Sequence, residues 1–353
     1  MSEEVTTAGW DAIDQAFTTL YGEQEPKHYG TLISYALGGQ DPLDGISAYK
    51  SETPIPHWHF VTYGFSELYD KESNNQEYSG FGFELTFRLV CSDDEEEPPA
   101  WALNLLQNMA RYVFNSGNVF VAGDYLDANG PICLGADTLL TALAFTNDPE
   151  LAEMDTPNGK VAFVQMVGIT EDELEAIQTW HTFGLLQAGI EQLPGYVTDL
   201  ARPSLLQNPV VVEAVERGVE EDGSSTGFLF VDQLAWQEGK TGWFTKPSYI
   251  VQLGAKQAGV IRQLLRGRIL KGRSLRLVGQ QVTITFQANE QAGYHVNEQE
   301  VIISLNKAAV EELCQKLVPQ EGQFELSSLA GVSFQILKTY IKDQEGTVVE
   351  TIG

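Results

Sequence analysis

Ser79-Gly80-Phe81-Gly82-Phe83-Glu84-Leu85-Thr86-Phe87-Arg88-Leu89 decides how the first half of this chain folds. Phe81, Phe83, Leu85, Phe87 and Leu89 alternate with Gly82, Glu84, Thr86 and Arg88, the period of a β-strand with one apolar and one polar face. A one-residue slip would turn every large apolar group to the wrong side, so the register is strongly specified. A second strand precedes it, His57-Trp58-His59-Phe60-Val61-Thr62-Tyr63, with Trp58, Phe60 and Thr62 on one side and His57, His59, Val61 and Tyr63 on the other. The pair is expected to form the centre of a sheet against which the first half of the chain packs.

Upstream of this pair, Trp10, Ile13, Phe17 and Leu20 share one face of a helix over residues 9–20. Strands are expected over His28–Leu37 and Ile46–Tyr49. Downstream, Pro99 opens a helix carrying Trp101, Leu105, Met109 and Val113, with Gly117 as its C-cap. Val119-Phe120-Val121 and Leu139–Thr146 read as strands. Asn158-Gly159 reads as a hairpin turn leading into a strand over Val161–Ile169. Thr170-Glu171-Asp172-Glu173 is a capping box opening a helix that runs through Trp180 to Ile190. A shorter helix follows over Val210–Val219.

The acidic, small-residue run Glu220–Gly227 marks a domain boundary. The expected division is an N-terminal domain over 1–222, a linker over 223–227 and a C-terminal α+β domain over 228–353. Two domains suit 353 residues of which 43% are hydrophobic. In the second, strands are expected over Phe228–Trp236, Trp243–Leu253, Leu275–Leu277, Val282–Phe286, Val301–Leu305 and Val332–Ile341. Its helices fall over Ala255–Leu265 and Lys307–Leu317, the latter capped by Asn306. The fold class is α+β: two mixed α/β lobes, each a mainly antiparallel sheet with packed helices.

Net charge is −28 and uneven. Residues 1–226 hold 8 Lys+Arg against 37 Asp+Glu, a balance of −29, whereas 227–353 hold 13 against 12. A field of that sign repels nucleic acid and anionic membrane and attracts basic proteins; simple solubility explains it equally well. No apolar run is long enough to span a bilayer, and the N-terminus is acidic rather than signal-like. Cys91, Cys133 and Cys314 are far apart and build no disulfide framework, which suits a reducing cytoplasm.

The chemistry-bearing residues are sparse. His57 and His59, at i and i+2 on one strand face, could begin a metal site and hence a metal-dependent enzyme, but no third ligand is near in sequence. The more economical reading is a hydrogen-bonded pair at the sheet surface. No nucleophile elbow, P-loop or dinucleotide fingerprint occurs, so neither catalysis nor a cofactor is expected. Asp93–Glu97 reads as a solvated acidic loop. Arg262, Arg266, Arg268, Lys271, Arg273 and Arg276 form a basic cluster, read as a seam against the acidic half rather than an external anion site. From spacing alone, Tyr112 and Phe120 are core residues and Asp124 caps a turn.

Several motifs in order carry a resemblance. Tyr35-Ala36-Leu37-Gly38-Gly39-Gln40-Asp41-Pro42-Leu43-Asp44, Pro56-His57-Trp58-His59, Ser79–Leu89 and Ala110-Arg111-Tyr112-Val113-Phe114 together resemble the suppressor of fused family. Asn147-Asp148-Pro149, Thr156-Pro157 and Val167-Gly168 agree. The likeness is weaker over 227–353, where Leu265–Arg268 and Gly272-Arg273 are its echoes. It implies a two-domain, non-enzymatic binding protein. Animal members restrain Gli-type transcription factors by clamping an extended peptide between their domains as an added β-strand. On that pattern Tyr112, Phe120 and Asp124 form the N-domain side of the groove, the aromatics flanking the peptide and the carboxylate pairing with a polar or cationic group. The chain lacks the long polar insertion of animal members and is shorter at both ends, so it resembles a bacterial-type member. Such relatives are proposed to be immunity proteins, and the acidic half would suit a basic toxin domain.

Overall fold

The structure, a computed structural model, describes residues 6–32, 35–239, 248–297, 300–342 and 347–353. Its elements begin with helix α1 (Ala8–Tyr21), strands β1 (Lys27–Gly30), β2 (Gly45–Ser51), β3 (His57–Tyr63) and β4 (Tyr78–Val90), and helix α2 (Ala100–Ser116). Strands β5 (Tyr125–Asp127), β6 (Leu140–Asn147), β7 (Met154–Thr156) and β8 (Gly159–Thr170) follow, then helices α3 (Glu171–Thr179), α4 (Thr182–Ala188) and α5 (Pro209–Glu221). The eight strands form one sheet in the order β1-β2-β3-β4-β8-β6-β5, with β7 paired to β8. β4 and β8 run parallel and the remaining pairs antiparallel. The central position expected for the β3–β4 pair is the one observed.

The alternation in β4 has a consequence that a single period does not reveal, because both faces are buried. Phe83, Leu85, Phe87 and Leu89 pack with Trp58, Phe60 and the buried stripe of α2, Leu106, Ala110 and Val113. On the other side α1 lays Ile13 and Phe17 against Tyr49, Val61, Tyr63 and Phe163. Glu84, Thr86 and Arg88 therefore point into a second interior layer rather than into water, and all three are fully buried. They are tolerated there because each is paired with other polar groups. α2 ends as expected, with Gly117 in the left-handed region (φ 73°) and its N–H on the Val113 carbonyl.

The second half contains β9 (Phe228–Phe230), β10 (Leu234–Glu238), β11 (Tyr249–Gly254), α6 (Ala255–Ile269), β12 (Leu275–Val278), β13 (Thr283–Ala288), β14 (Gly293–Val296), β15 (Glu300–Leu305) and α7 (Lys307–Lys316). It closes with β16 (Gly322–Glu325), β17 (Val332–Leu337), β18 (Thr339–Lys342) and β19 (Val348–Ile352). These make a four-stranded sheet, β10-β11-β17-β16, a five-stranded sheet, β14-β15-β13-β12-β9, and a β18–β19 hairpin. One core joins both sheets to α6 and α7 through Leu264, Leu265, Leu277, Phe286, Leu313 and Phe334. Asn306 caps α7 as expected, its side chain accepting the Ala309 N–H at 2.9 Å.

Several expected boundaries move. The helix opened by the Thr170 capping box breaks at Trp180-His181 into α3 and α4. There the Trp180 ring lies against Gly218 of α5 and its Nε1 donates to Asp222 at 2.8 Å. The strand expected from His28 stops at Gly30, a short 3-10 turn occupies Tyr35–Leu37, and residues 33–34 lie outside the described residues. Phe228–Trp236 divides into β9 and β10, and residues 243–247 of another expected strand also lie outside. Val119-Phe120-Val121 is not a strand.

The chain divides into two compact units, residues 1–174 with 182–212, and residues 175–181 with 213–353. The expected linker, 223–227, is a packed segment of the second unit. Ser224 is fully buried, its hydroxyl donates to the Gln178 carbonyl at 2.6 Å, and Ser225 N–H donates to the Trp180 carbonyl at 2.8 Å. The basic cluster serves this segment. Arg268 Nη1 donates to the Ser224 carbonyl at 2.8 Å, and Lys271 Nζ to the Glu220 and Glu221 carbonyls at 2.6 and 2.8 Å, where α5 presents its negative end. Within their own unit Arg268 and Lys271 thus bind backbone, while Arg276 Nη2 lies 3.9 Å from Glu300 Oε1.

Candidate functional site

Three residues singled out from the sequence fall at the end of α2 and the loop after it. The C-cap at Gly117 turns the chain back, so that Tyr112 on the last turns of α2 meets Phe120 four residues beyond Ser116. Their rings stack at 5.5 Å between centroids. Phe120 in turn stacks on Phe145 of β6 at 4.2 Å and 11°. Phe145 and Phe120 are buried, whereas Tyr112 is 39% exposed, so the ladder ends in an aromatic surface braced from below. The Tyr112 hydroxyl accepts from Asn118 Nδ2 at 3.2 Å, and Ser116 Oγ donates to the Tyr112 carbonyl at 2.7 Å.

Asp124 closes the loop. Its Oδ2 accepts the Val121 N–H at 2.9 Å, and its own N–H donates to the Val121 carbonyl at 3.1 Å. This local turn is why Val119–Val121 cannot run on as a strand. The Asp124 carbonyl accepts the Phe145 N–H at 2.9 Å, which fixes the turn to β6 and sets the start of β5. β5 is three residues long and forms the edge of the eight-stranded sheet. Tyr112, Phe120 and Asp124 are thus brought onto one patch of the first unit. Tyr112 is not the core residue that its spacing suggested, Phe120 is, and Asp124 caps a turn.

A residue the sequence reading passed over belongs to the same patch. Phe183, near the start of α4, is 46% exposed and lies against Gly123. Its only sequence signal is a large aromatic next to the helix break at Trp180-His181. In the second unit, Phe228 and Phe230 make a separate exposed aromatic pair on β9, with centroids 5.6 Å apart. β9 is also an edge strand, paired to β12.

The histidines take the more economical reading, with one change: both are interior. His57 Nδ1 bonds the Ile55 carbonyl at 2.7 Å. His59 accepts the Tyr21 hydroxyl at Nδ1 (2.8 Å) and donates from Nε2 to Asp148 Oδ2 (3.2 Å), a tautomer assigned from these partners. Burial, reinforced by the Arg88 charge, pushes His59 down to about 4, so it is neutral. Both ring nitrogens of His59 are engaged, and among the described residues no group of three or more His, Cys, Asp and Glu side chains could hold a metal ion.

Arg88 is the hub of this interior layer. Its guanidinium spans Asp148, Nη1 to Oδ2 at 2.8 Å and Nη2 to Oδ1 at 3.0 Å, and also reaches Gln165 and Glu150. Burial works against the charge of Asp148, but the hydrogen bonds of His59 and the charge of Arg88 overcome it and hold the carboxyl well below its ordinary range. Further along β4, Glu84 receives Thr62 Oγ1, Ser66 Oγ, Ser66 N–H and Gly64 N–H. Burial outweighs those donors and pushes it up to about 7. These groups are consumed by structure. The acidic loop 93–97 is largely in water as expected, with Asp93, Asp94, Glu96 and Glu97 exposed; Glu97 takes Lys27 and Tyr29 at the surface, and the half-buried Glu95 takes the Trp58 Nε1–H at 3.0 Å. No helix among the described residues is long and apolar enough to cross a membrane.

Comparison with known proteins finds relatives of this chain. The family model described as Suppressor of fused protein (SUFU) matches residues 39–203, the stretch that contains Tyr112, Phe120, Asp124 and Phe183. The human Suppressor of fused homolog is 36% identical over 248 residues, 65% of this chain and 51% of that one, and the mouse homolog gives the same figures. The chain therefore spans about half the length of the curated relatives it matches. The crystal structure of Drosophila Suppressor of Fused superposes with a TM-score of 0.79 at 24% identity, over 95% of this chain and 99% of that one, a likeness of fold. A chain of the Sufu–Fu complex is 33% identical with a TM-score of 0.55, over 60% of this chain and 98% of its own length.

Proposed function

The chain belongs to the suppressor of fused family, and from that premise we propose that it is a non-catalytic binding protein that captures an extended segment of a partner polypeptide and restrains the partner so held. The observation that carries this reading is Tyr112. A large aromatic is held partly in water by a stack of two buried rings, beside a half-buried carboxylate and a short edge strand. Rigid aromatic surface of this kind contributes most of the energy in peptide recognition, because little conformational freedom is lost on binding. The proposed mode is strand addition at β5, with Tyr112 against a partner side chain, the buried Phe120 only bracing it from below rather than flanking the peptide as the resemblance implies, and Asp124 against a polar or cationic group.

The −29 balance of residues 1–226 supports a basic partner. In a bacterium, a basic toxin domain such as a nuclease has that chemistry, which would make this an immunity protein. Three buried cysteines, none of them in a disulfide, support work in a reducing cytoplasm. The test is affinity capture with the intact chain and with Tyr112→Ala and Asp124→Ala. Both variants should fold and lose the partner, and equal recovery of the same partner by both would overturn the site assignment. Rescue of toxin-poisoned cells that survives charge reversal of the acidic surface would remove the electrostatic part.

A further inference from the structure

We infer that Phe183 is a specificity-determining residue of this surface, selecting an extended segment that carries a bulky apolar side chain together with a cationic one; the inference rests on the binding reading above. Gly123 sits at φ +105°, a conformation that favours glycine, and a Cβ placed there would come within 3.1 Å of Phe183 Cε2. The glycine therefore permits both the turn and the close approach of the ring. Thr182, buried beside it, donates its hydroxyl to the Gly123 carbonyl, which fixes the start of α4 on the turn. The Cδ2–Cε2–Cζ edge of the Phe183 ring lies against Gly123, and 46% of the residue remains exposed.

Continuity with Tyr112 is covalent and hydrogen-bonded. Gly123 precedes Asp124, and its N–H donates to the Phe145 carbonyl at 2.8 Å, while the Phe145 ring carries Phe120 and through it Tyr112. The turn that carries Asp124 thus holds Phe183 at Gly123 and is tied through Phe145 and Phe120 to Tyr112, with Val121 also exposed on it. Exposed aromatic rings tied to the turn that carries a carboxylate, in a half-chain with a balance of −29, complement a segment that pairs a bulky apolar residue with Lys or Arg. Phe183 supplies the second ring and so discriminates by side-chain size, which Asp124 cannot do.

Selection from a displayed random-peptide library on the immobilised full chain tests this, with the affinity of a synthetic copy of the most enriched peptide measured by fluorescence anisotropy. The intact chain should enrich peptides bearing Leu, Phe or Trp with Lys or Arg. Phe183→Ala should weaken the synthetic peptide by about tenfold or more and erase the size preference, with an unchanged melting curve. Phe183→Trp should stay within about threefold of the intact chain. If Tyr112→Ala abolishes binding while Phe183→Ala leaves both affinity and consensus unchanged, the role of Phe183 is overturned and the capture surface stands. If no peptide is enriched, or if Tyr112→Ala and Asp124→Ala bind as well as the intact chain, the capture surface itself is overturned and Phe183 with it.

Discussion

Breaking the Arg88–Asp148 pair should destabilise the first unit far more than any surface ion pair. Arg88 and Asp148 are both fully shielded at their charged ends, and Asp148 also receives Thr86 Oγ1 at 2.8 Å and the Glu150 and Leu151 N–H groups at 2.9 and 3.1 Å. Asp148→Asn keeps an acceptor for those amides and removes the charge, stranding a buried guanidinium whose other acid, Glu150, is partly in solvent. Removing one partner of a buried pair costs about 3–5 kcal/mol. Arg88→Met strands the opposite charge at a similar cost. The double variant leaves no unpaired ion, only the orphaned polar groups of His59 and Gln165 at about 1–3 kcal/mol each. Its cost, about 2–6 kcal/mol, should therefore fall short of the sum of the singles, about 6–10 kcal/mol, by about 4 kcal/mol at mid-range. Hydrogen exchange of the β4 and β8 amides in the intact chain reads this out locally, the single variants raising the opening equilibrium by about a hundred- to several-thousand-fold. Strict additivity, or single effects below about 1 kcal/mol, would mean that the pair behaves as a solvated surface bridge and that the interior polar layer does not exist as described.

Glu84 gives a pH test. Its folded pKa, about 7, lies above the ordinary 4.5, so the native state holds a proton that the unfolded chain releases. Stability should be greatest below the ordinary value, fall as pH rises towards 7 and level off above it, by roughly 3 kcal/mol in all. Glu84→Gln should remove that slope from the difference curve, and parallel curves across this window would refute it. Asp148 acts in the opposite sense: its lowered pKa adds stability above the ordinary carboxylate range that is lost as pH falls below it. Gly218→Ala places a methyl within 2.1 Å of the Trp180 ring and should cost about 1–3 kcal/mol, seen as faster exchange in α5. Asn306→Ala removes the cap of α7 and should cost about 1 kcal/mol by urea titration; no change would mean the cap is solvated in both states.

Much of the architecture was legible in the chain because it is local. The period of β4, the stripe of α2 with its Gly117 cap, the Asn158-Gly159 turn and the Asn306 cap each depend on residues a few positions apart, and each stands where expected. The edges were less legible. Nothing within a few residues of Trp180 announces that its ring meets Gly218 of α5, so the helix break could not be read. The linker at 223–227 reads as flexible by composition, yet Arg268, more than forty residues on, holds the Ser224 carbonyl.

For the candidate site, spacing alone made Tyr112 a core residue and left Phe183 unremarked. Exposure is a property of the assembled surface, and the stack from Tyr112 through Phe120 to Phe145 joins three elements. The period-2 pattern determined by itself that one face of β4 packs against apolar partners, and which residues do so. Whether the face bearing Glu84, Thr86 and Arg88 met water or an interior was decided only in three dimensions. A polar side chain is stable in either place provided its hydrogen bonds are met, and the partners that meet them, Asp148, Gln165 and Ser66, come from elsewhere in the chain.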